Sequence, residues 1–341
     1  MTKVVPKFLD SEDIEVLSYH NFLLQLKGRR ILITGGTGMV GSYLLEAICF
    51  GMQCLRIAPK EIRVFSGSLN FDSIQHLGHF EFIKFHNVPL LEIDAQENYD
   101  FLIHAASPAS PTKFPTFEIL RLVNSEILDK LITTGMEKVL FVSTGEVYGP
   151  RAQIPFLEST EIELDEKNAR FAYPKSKILG EMRGKELSNA VSAKFNVARL
   201  FHSFGPGMRK NDGRSFPDFI WKAAHLELPV LRSPGNDVRT FLYLRDTISA
   251  FFQILENGEN NGIYNIGSSH PISILDCAKK ISNFAELGGR VLIQNVQGDY
   301  IHSPIHSIIP NVDKLNQIGW KQEVDIDKMI LRTLQWARNN I

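Results

Sequence analysis

The stretch Ile31-Leu32-Ile33-Thr34-Gly35-Gly36-Thr37-Gly38-Met39-Val40-Gly41 decides the fold that the sequence predicts. A short apolar run gives way to a glycine turn and then to a helical pattern, the order of a phosphate-binding strand, turn and helix. Gly35 suits a tight turn, Gly38 has no Cβ to hold a pyrophosphate away, and Gly41 allows close helix packing. The helix N-terminus offers free N–H groups to phosphates. We expect a dinucleotide cradle here; the alternative is a glycine turn with a purely structural role.

The composition excludes several classes of function. The chain has 341 residues, 44% of them hydrophobic, and 37 basic side chains balance 38 acidic ones. This balance argues against a nucleic-acid or anionic membrane surface as partner. Its three cysteines have no metal-ligand spacing, no apolar stretch approaches the roughly 20 residues of a membrane span, and the N-terminus does not resemble a secretory signal. We therefore expect a soluble, cytoplasmic protein.

Strand and helix patterns alternate along the chain. Apolar runs predict strands at residues 31–34, 62–65, 80–85, 100–104, 138–142 and 196–201, and helical patterns predict helices at 39–50, 116–134, 171–188 and 216–226. Such alternation is typical of an α/β fold with a Rossmann-type doubly wound parallel sheet. We assign 30–205 to a nucleotide-binding domain to which 238–267 return, and 206–237 and 268–341 to a smaller C-terminal α/β substrate-binding domain.

Residues 1–29 are predicted to be an N-terminal extension. Ser11, Glu12 and Asp13 are candidate caps of a short helix, and Gly28 is expected to end it. The predicted role of this extension is packing or a subunit contact.

The residue after the second strand bears on the choice of dinucleotide. An acidic residue there usually binds the adenosine ribose hydroxyls, whereas this chain has Ser66-Gly67-Ser68. No basic residue follows directly to receive a 2′-phosphate, so NAD and NADP both stay open, with a slight preference for NADP. The small residues that end the 100–104 strand allow close approach of a dinucleotide. The predicted cofactor site comprises Gly35, Thr37, Gly38, Met39, Val40, Gly41, Ser66, Asn87, Ala105, Ala106, Tyr173 and Lys177.

A hydroxyl, a phenol and an amine occur in the order that nicotinamide chemistry needs. Thr144 follows the 138–142 strand, and Tyr173 and Lys177 lie four residues apart on one face of a predicted helix. We expect Lys177 to lower the pKa of the Tyr173 phenol and to reach a cofactor ribose. Such a set transfers protons while a nicotinamide carries hydride.

With these motifs the sequence resembles the extended short-chain dehydrogenase/reductase family, also called the NAD-dependent epimerase/dehydratase family, from about Lys27 onward. Most members act on nucleotide-diphosphate sugars. The stretches at 104–111 (HAASPASP), 143–149 (STGEVYG), 204–208 (FGPGM), 211–214 (NDGR) and 239–241 (RTF) are similar to the UDP-glucuronate decarboxylase branch. The resemblance implies a homodimer formed through a four-helix bundle that includes the helix of Tyr173 and the one near Asn124.

The resemblance also implies a set of substrate-binding residues. Arg214 and Arg239 are expected to hold a nucleotide pyrophosphate, as guanidinium groups do well, unless they are surface arginines. The other predicted substrate contacts are Ser107, Asn124 and His202. For His202 there is an equal alternative: a hydrogen-bonded residue of the core or of the cleft rim that does not contact substrate.

Departures from the family pattern bear on the reaction. The decarboxylases usually have Asn at the position of His202 and Asp at that of Ser66, and the Thr-Asp-Glu set of the dTDP-glucose 4,6-dehydratases is here Thr144, Gly145 and Glu146. The missing acid counts against dehydration. Glu146 is either a base at sugar C5 or a hydrogen-bond partner of a sugar hydroxyl.

Three functions follow as hypotheses. Residues 143–149 and 201–207 together look similar to a subgroup related to dTDP-4-keto-6-deoxyglucose reductases. The leading prediction is therefore NAD(P)H-dependent reduction at C4 of a nucleotide-linked 4-keto-6-deoxy sugar, serving polysaccharide biosynthesis. The alternative is a redox-neutral decarboxylase, epimerase or dehydratase that uses Glu146, and a remote one is a cofactor-binding regulator. No metal site is predicted, because Pro304 disrupts helical spacing between His302 and His306.

Overall fold

A computed structural model describes residues 5–67, 70–86, 88–93, 97–108, 115–165, 168–210, 212–294 and 305–341. Its strands are β1 Arg30–Thr34, β2 Glu61–Phe65, β3 Ile83–His86, β4 Phe101–His104, β5 Lys138–Thr144, β6 Lys194–Leu200, β7 Ser203–Phe204, β8 Val230–Leu231, β9 Val238–Thr240, β10 Leu242–Tyr243, β11 Gly262–Ile266, β12 Pro271–Ser273, β13 Leu292–Ile293 and β14 Ser307–Ile308. Its α-helices are α1 Ser11–Ser18, α2 Phe22–Gln25, α3 Met39–Cys54, α4 Phe117–Arg121, α5 Leu128–Leu131, α6 Ala172–Ala190, α7 Ser215–Ala224, α8 Leu244–Asn257, α9 Ile274–Phe284, α10 Asp313–Gln317 and α11 Ile326–Arg338.

The central sheet has seven parallel strands in the order β11, β6, β5, β4, β1, β2, β3. The order runs outward from β1 in both directions, which places a crevice between the carboxyl ends of β1 and β4. The predicted doubly wound parallel sheet is confirmed. Of the strands within residues 238–267, β11 forms the edge of the central sheet beside β6, whereas β9 and β10 lie in small separate sheets.

Alternate residues of the buried strands pack on opposite faces of this sheet. Ile31 and Ile33 join the core formed with α3 and α8, whereas Leu32 joins the core on the side of α5. A further apolar cluster is built from α7, α9 and α11 around Phe216, Ile281 and Ile330. The domain boundaries remain a prediction.

The predicted helix at 116–134 is not continuous. It consists of α4, a π-helical segment at Leu122–Glu126 and α5. Asn124 lies in the π-helical segment, where the widened turn alters the backbone hydrogen bonding. A smooth apolar periodicity does not reveal such a local insertion.

The N-terminal extension is two short helices, α1 and α2, instead of one. Asp10, and none of the predicted Ser11, Glu12 or Asp13, caps α1 by accepting a bond from the Asp13 N–H at 2.9 Å. Asp13 instead turns inward and is fully buried, where Tyr43 of α3 donates to it at 2.6 Å and Arg332 of α11 at 2.7 Å. The extension is thus anchored to both the sheet-packing helices and the C-terminal helix.

None of the helices in the described ranges combines the length and apolar character required to cross a membrane.

Candidate active site

A cleft of about 710 Å³ opens at the carboxyl ends of the central strands. Most of the predicted site residues line it: Gly35, Gly38, Met39, Val40, Gly41, Ala105, Ser107, Thr144, Glu146, Tyr173, Lys177, His202, Arg214 and Arg239. These residues are far apart in the sequence. The fold brings the glycine turn, the set of Thr144, Tyr173 and Lys177, and the two arginines together in one cleft.

The glycine turn has the geometry of a phosphate cradle. Gly35 has a φ of +76°, and a Cβ there would lie 2.6 Å from the Ala106 backbone nitrogen. A Cβ on Gly41 would lie 2.2 Å from the Gly35 carbonyl oxygen, so both positions require glycine. The N-cap of α3 is Gly38, which has no side chain to cap the first turn. The N–H groups of that turn are therefore available to a dinucleotide pyrophosphate, and the residues present fit this group.

Three other predicted cofactor residues, Thr37, Ser66 and Ala106, do not line the cleft. Thr37 Oγ1 and Ser66 Oγ lie 2.6 Å apart, so the hydroxyl of Ser66 is bonded to the turn at the position where an acid is usual. Ala106 is buried, and its N–H donates to Thr34 Oγ1 at 3.3 Å. Asn87 lies outside the described residues, as do Ser68, Asn211, His302 and Pro304.

Tyr173 and Lys177 both lie on α6 and are buried at the cleft wall. Burial and the nearby Glu146 carboxylate raise the pKa of the Tyr173 phenol above its usual value, against lowering by Arg214, Ser107 and Arg170. This corrects the expectation of a phenol pKa lowered by Lys177.

Burial changes the titration of Lys177 as well. Burial lowers the pKa of Lys177 to about 7, so at neutral pH the side chain carries only part of a positive charge. Its Nζ donates to the Val142 carbonyl at 2.8 Å and lies 5.0 Å from the centre of the Phe141 ring. Sequence spacing showed that the two side chains share a helix face, but it contained no information on their desolvation.

Glu146 lies in the 3₁₀ turn Gly145–Tyr148 that follows β5, where the Thr144 side chain accepts a bond from the Glu146 N–H at 3.3 Å. Its carboxylate forms an ion pair with Arg170, with Nη1 at 3.0 Å from Oε2 and Nη2 at 3.3 Å from Oε1. Arg170 also lines the cleft and was not predicted. The signal was present, because Arg170 precedes Tyr173 by three residues, one helical turn.

The missing acid at position 145 has a structural counterpart. An ideal Cβ on Gly145 would lie 2.7 Å from two carbons of the Phe201 ring. Phe201 is buried and packs with Tyr148 and Phe156, which restricts its movement. An aspartate at position 145 would therefore fit only if the ring of Phe201 and the aromatic residues packed against it moved.

Two arginines and a histidine form the other end of the cleft. Arg239 is buried, not a surface side chain, and donates to the carbonyls of Val238, Ile305 and His306 at 2.8 to 2.9 Å. Arg214 makes a two-pronged ion pair with Asp212 and lies 5.0 Å from the centre of the Phe204 ring.

His202 is held neutral. Burial, then Arg239 and Arg214, lower the pKa of His202 to about 3. Its Nδ1 has no hydrogen-bond partner within the part of the chain that the structure describes. The cleft wall thus carries an unsatisfied polar atom, which favours the predicted substrate contact over the alternative of a hydrogen-bonded core residue.

Asn124 is not on the cleft wall. Its Nδ2 donates to Ser176 Oγ at 2.9 Å, and that hydroxyl donates to the Tyr173 carbonyl at 2.7 Å. These bonds make Asn124 a support for α6, and its predicted contact with substrate stays a prediction. Two basic residues that were not predicted, Lys210 and Arg232, do line the cleft. Both lie in loops outside any recognised motif, so the sequence contained no signal for them.

Comparisons with known proteins agree with this geometry. The sequence model of the NAD dependent epimerase/dehydratase family matches residues 31–267. UDP-glucuronic acid decarboxylase 2 of Arabidopsis thaliana is 26% identical over 89% of this chain and 67% of its own length. UDP-glucuronic acid decarboxylase 1 of Xenopus tropicalis is 26% identical over 94% of this chain and 75% of its own. Among solved structures, UDP-N-acetylglucosamine 4-epimerase of Methanobrevibacter ruminantium M1 has a TM-score of 0.78 at 22% identity, over 92% of this chain and 100% of that one.

Proposed function

The chain belongs to the NAD dependent epimerase/dehydratase family, and from this premise we propose that it acts on a nucleoside-diphosphate sugar without net oxidation or reduction. The relatives named above are decarboxylases and an epimerase, which favours the redox-neutral alternative over net reduction at C4. Within that class, the cleft fits decarboxylation of a nucleoside-diphosphate uronate best.

Bound NAD would supply reversible hydride transfer at the sugar C4. Gly35, Gly38 and Gly41 supply the close backbone approach and free N–H groups that its pyrophosphate requires. The Ser66 and Thr37 hydroxyls offer hydrogen bonds where other members have an acid. The family's NAD dependence supports NAD over the NADP preference that Ser66 suggested.

Tyr173 is the proposed acid and base for the C4 oxygen. Oxidation at C4 starts from the minor phenolate form of Tyr173, which takes the C4 hydroxyl proton; the raised pKa then favours the phenol, which returns that proton to the C4 oxygen when the hydride comes back. We assign to Thr144, which lines the same cleft, a hydrogen bond to this oxygen. Lys177 supplies positive charge on the same helix face.

The observation that carries the uronate assignment is the ion pair of Glu146 and Arg170 beside Tyr173. Arg170 puts a guanidinium at the sugar end of the cleft, and guanidinium groups bind carboxylates in pairs of hydrogen bonds. In the proposed reaction the C5–C6 bond of the C4 ketone breaks, its electron pair remains on the sugar as an enolate, and carbon dioxide leaves. C5 then takes up a proton from a water molecule, which we assign the Glu146 carboxylate to orient, and the hydroxide that remains combines with the carbon dioxide as bicarbonate.

Two other reactions fit less well. Dehydration needs an acid for the leaving hydroxyl, and Phe201 fills the space beside Gly145 where the dehydratases carry it. Net reduction of a 4-keto-6-deoxy sugar gives Arg170 no anionic group to bind. The nucleotide end is common to all these reactions, because Arg214, Arg239 and Lys210 supply positive charge for a pyrophosphate.

The test is a direct comparison of substrates on the purified chain. UDP-glucuronate should release carbon dioxide and give a UDP-pentose by mass spectrometry, with constant absorbance at 340 nm. UDP-glucose should release none, and Tyr173→Phe should abolish the reaction. Stoichiometric consumption of NADH or NADPH with a nucleotide-linked 4-keto-6-deoxy sugar, with UDP-glucuronate returned unchanged, would reject the proposal in favour of a reductase.

A further inference from the structure

A third buried polar residue continues the row of Tyr173 and Lys177 along α6. Glu181 lies four residues after Lys177, so the three side chains follow one another at helical spacing on the face that packs against the sheet. Glu181 is only 7% exposed. A buried carboxylate at this place needs a reason, because desolvation of a charge is costly unless it is paired and hydrogen-bonded.

The partners of Glu181 come from two strands of the central sheet. Arg199 of β6 donates to it through Nε at 3.1 Å and through Nη2 at 2.7 Å. The hydroxyl of Ser143, next to Thr144 on β5, donates to Oε1. Arg199 is itself buried and lies 4.9 Å from the centre of the Tyr148 ring. These contacts hold the carboxylate in one orientation on the buried face of α6.

Two other titratable groups near Lys177, on β4 and α6, are neutral. His104 of β4 is kept neutral by burial and by Lys177, which lower its pKa to about 3. Tyr173 on α6 keeps its proton, and β5 contributes the Val142 carbonyl and the Phe141 ring face. Glu181 is the acidic group whose charge opposes the effect of burial on Lys177.

We propose that Glu181, held in place by Ser143 and Arg199, is a positioning residue whose buried charge, one helical turn from Lys177, increases the fraction of Lys177 in the ammonium form at the cleft. The consequence for catalysis rests on the proposed function, whereas the charge state of Lys177 does not. The alternative is a purely structural role, in which Glu181 only connects α6 to β5 and β6. The two differ in what happens to the titration of Lys177 when the carboxylate becomes an amide of equal size.

The experiment follows the Cε resonance of Lys177 by NMR as a function of pH, in full-length protein labelled with ¹³C at lysine Cε. The resonance is assigned by its absence from Lys177→Met. The wild-type midpoint is expected near pH 7. In Glu181→Gln it should fall by about one pH unit or more, since a neighbouring opposite charge changes a pKa by roughly one to three pH units. Glu181→Asp, which keeps the charge, should stay within about half a pH unit of wild type.

Glu186→Gln is the matched control, because it makes the same chemical change on an exposed part of the same helix. If Glu181→Gln does not fold, the double variant Glu181→Met with Arg199→Met replaces the buried pair by apolar side chains, a change that proteins often tolerate. Its Lys177 midpoint should also fall, but by less than in Glu181→Gln, because removal of the Arg199 cation offsets part of the loss of the carboxylate. An unchanged midpoint in whichever variant folds overturns the proposal.

Activity separates this inference from the proposed function. If UDP-glucuronate is decarboxylated, the kcat of Glu181→Gln should be about tenfold below that of wild type at pH 8 and much closer to it at pH 6. The reason is that a midpoint lower by about one pH unit reduces the ammonium fraction of Lys177 about tenfold at pH values above both midpoints. Equal losses at both pH values would indicate a purely structural role and reject the proposal. A lowered midpoint in a protein inactive on every nucleotide sugar would reject the proposed function and leave this inference standing.

Discussion

The ring of Phe201 occupies the space into which any side chain at Gly145 would extend, with a closest approach of 2.7 Å to an ideal Cβ. The two residues are separated by a whole helix and strand in sequence, yet they share one wall of the cleft. The loss of the acid at 145 and the presence of a large aromatic ring at 201 are therefore a single feature of the site.

Gly145→Ala tests this relationship by adding only the Cβ. Overpacking a rigid core costs about 1–3 kcal/mol of unfolding free energy, so urea unfolding should show a loss in that range. The same change at Gly67, where nothing described lies within 4 Å of a Cβ, should stay within about 0.5 kcal/mol. In a double-mutant cycle, Phe201→Leu should relieve part of the cost of Gly145→Ala. Additive effects would show that the ring does not define the limit at 145.

Arg170 is predicted to set substrate choice at the sugar end. Replacing it by Met removes charge-assisted hydrogen bonds worth about 1.5–3 kcal/mol, so binding of UDP-glucuronate should weaken roughly ten- to hundredfold. Calorimetry with UDP is the control, because UDP lacks the sugar and its affinity should not change. Equal weakening of both ligands would place Arg170 at the nucleotide instead.

The fold and the identity of the functional side chains could be predicted from the sequence, but the burial, pKa values and partners of those side chains could not. Gly35 and Gly41 follow from local backbone demands, and Tyr173 with Lys177 follows from helix periodicity, so each could be read from a few neighbouring residues. The lowered pKa of Lys177 could not, because it depends on burial contributed by the whole sheet. The place of Asn124 behind α6 depends on a π-helical segment, and the partners of Glu181 come from two distant strands.

His202 should make stability depend on pH. Its folded pKa of about 3 lies below the usual 6.5, so between these values the unfolded chain binds a proton that the folded protein does not. Stability is therefore retained above pH 6.5 and lost as the pH falls, by up to about 1.4 kcal/mol per pH unit for this one group. In urea unfolding between pH 6.5 and 4.5, His202→Asn should lose less stability than wild type. His306→Asn, at a side chain that is 89% exposed, should follow wild type; matching slopes for all three proteins would show that His202 titrates normally.

The expected homodimer remains a prediction, and the surface of α4 and α6 offers a place for it. Ile119 on α4 and Met182 on α6 are exposed apolar side chains, and the two helices pack against each other. Met182→Glu should convert a dimer to a monomer in sedimentation equilibrium, because a carboxylate buried in an apolar contact is costly. Leu226→Glu is the control, since Leu226 is equally exposed at the end of α7. A dimer that persists in Met182→Glu would place the interface elsewhere.

Glu46 of α3 binds the N-terminal extension. Whether its charge stabilises or destabilises the fold should depend on the presence of that extension. The fully buried carboxylate accepts bonds from the N–H groups of Lys7, Phe8 and Leu9 at 2.8 to 3.1 Å and faces His76 Nε2 at 2.7 Å. In the full chain, Glu46→Gln should cost about 1.5–3 kcal/mol of unfolding free energy, the range for hydrogen bonds to a charged group. In a chain that begins at residue 10, the carboxylate loses its three backbone donors, so Glu46→Gln should cost far less or stabilise the protein. An equal cost in both backgrounds, measured by urea unfolding, would mean that His76 alone compensates the charge and that residues 7–9 contribute nothing through Glu46.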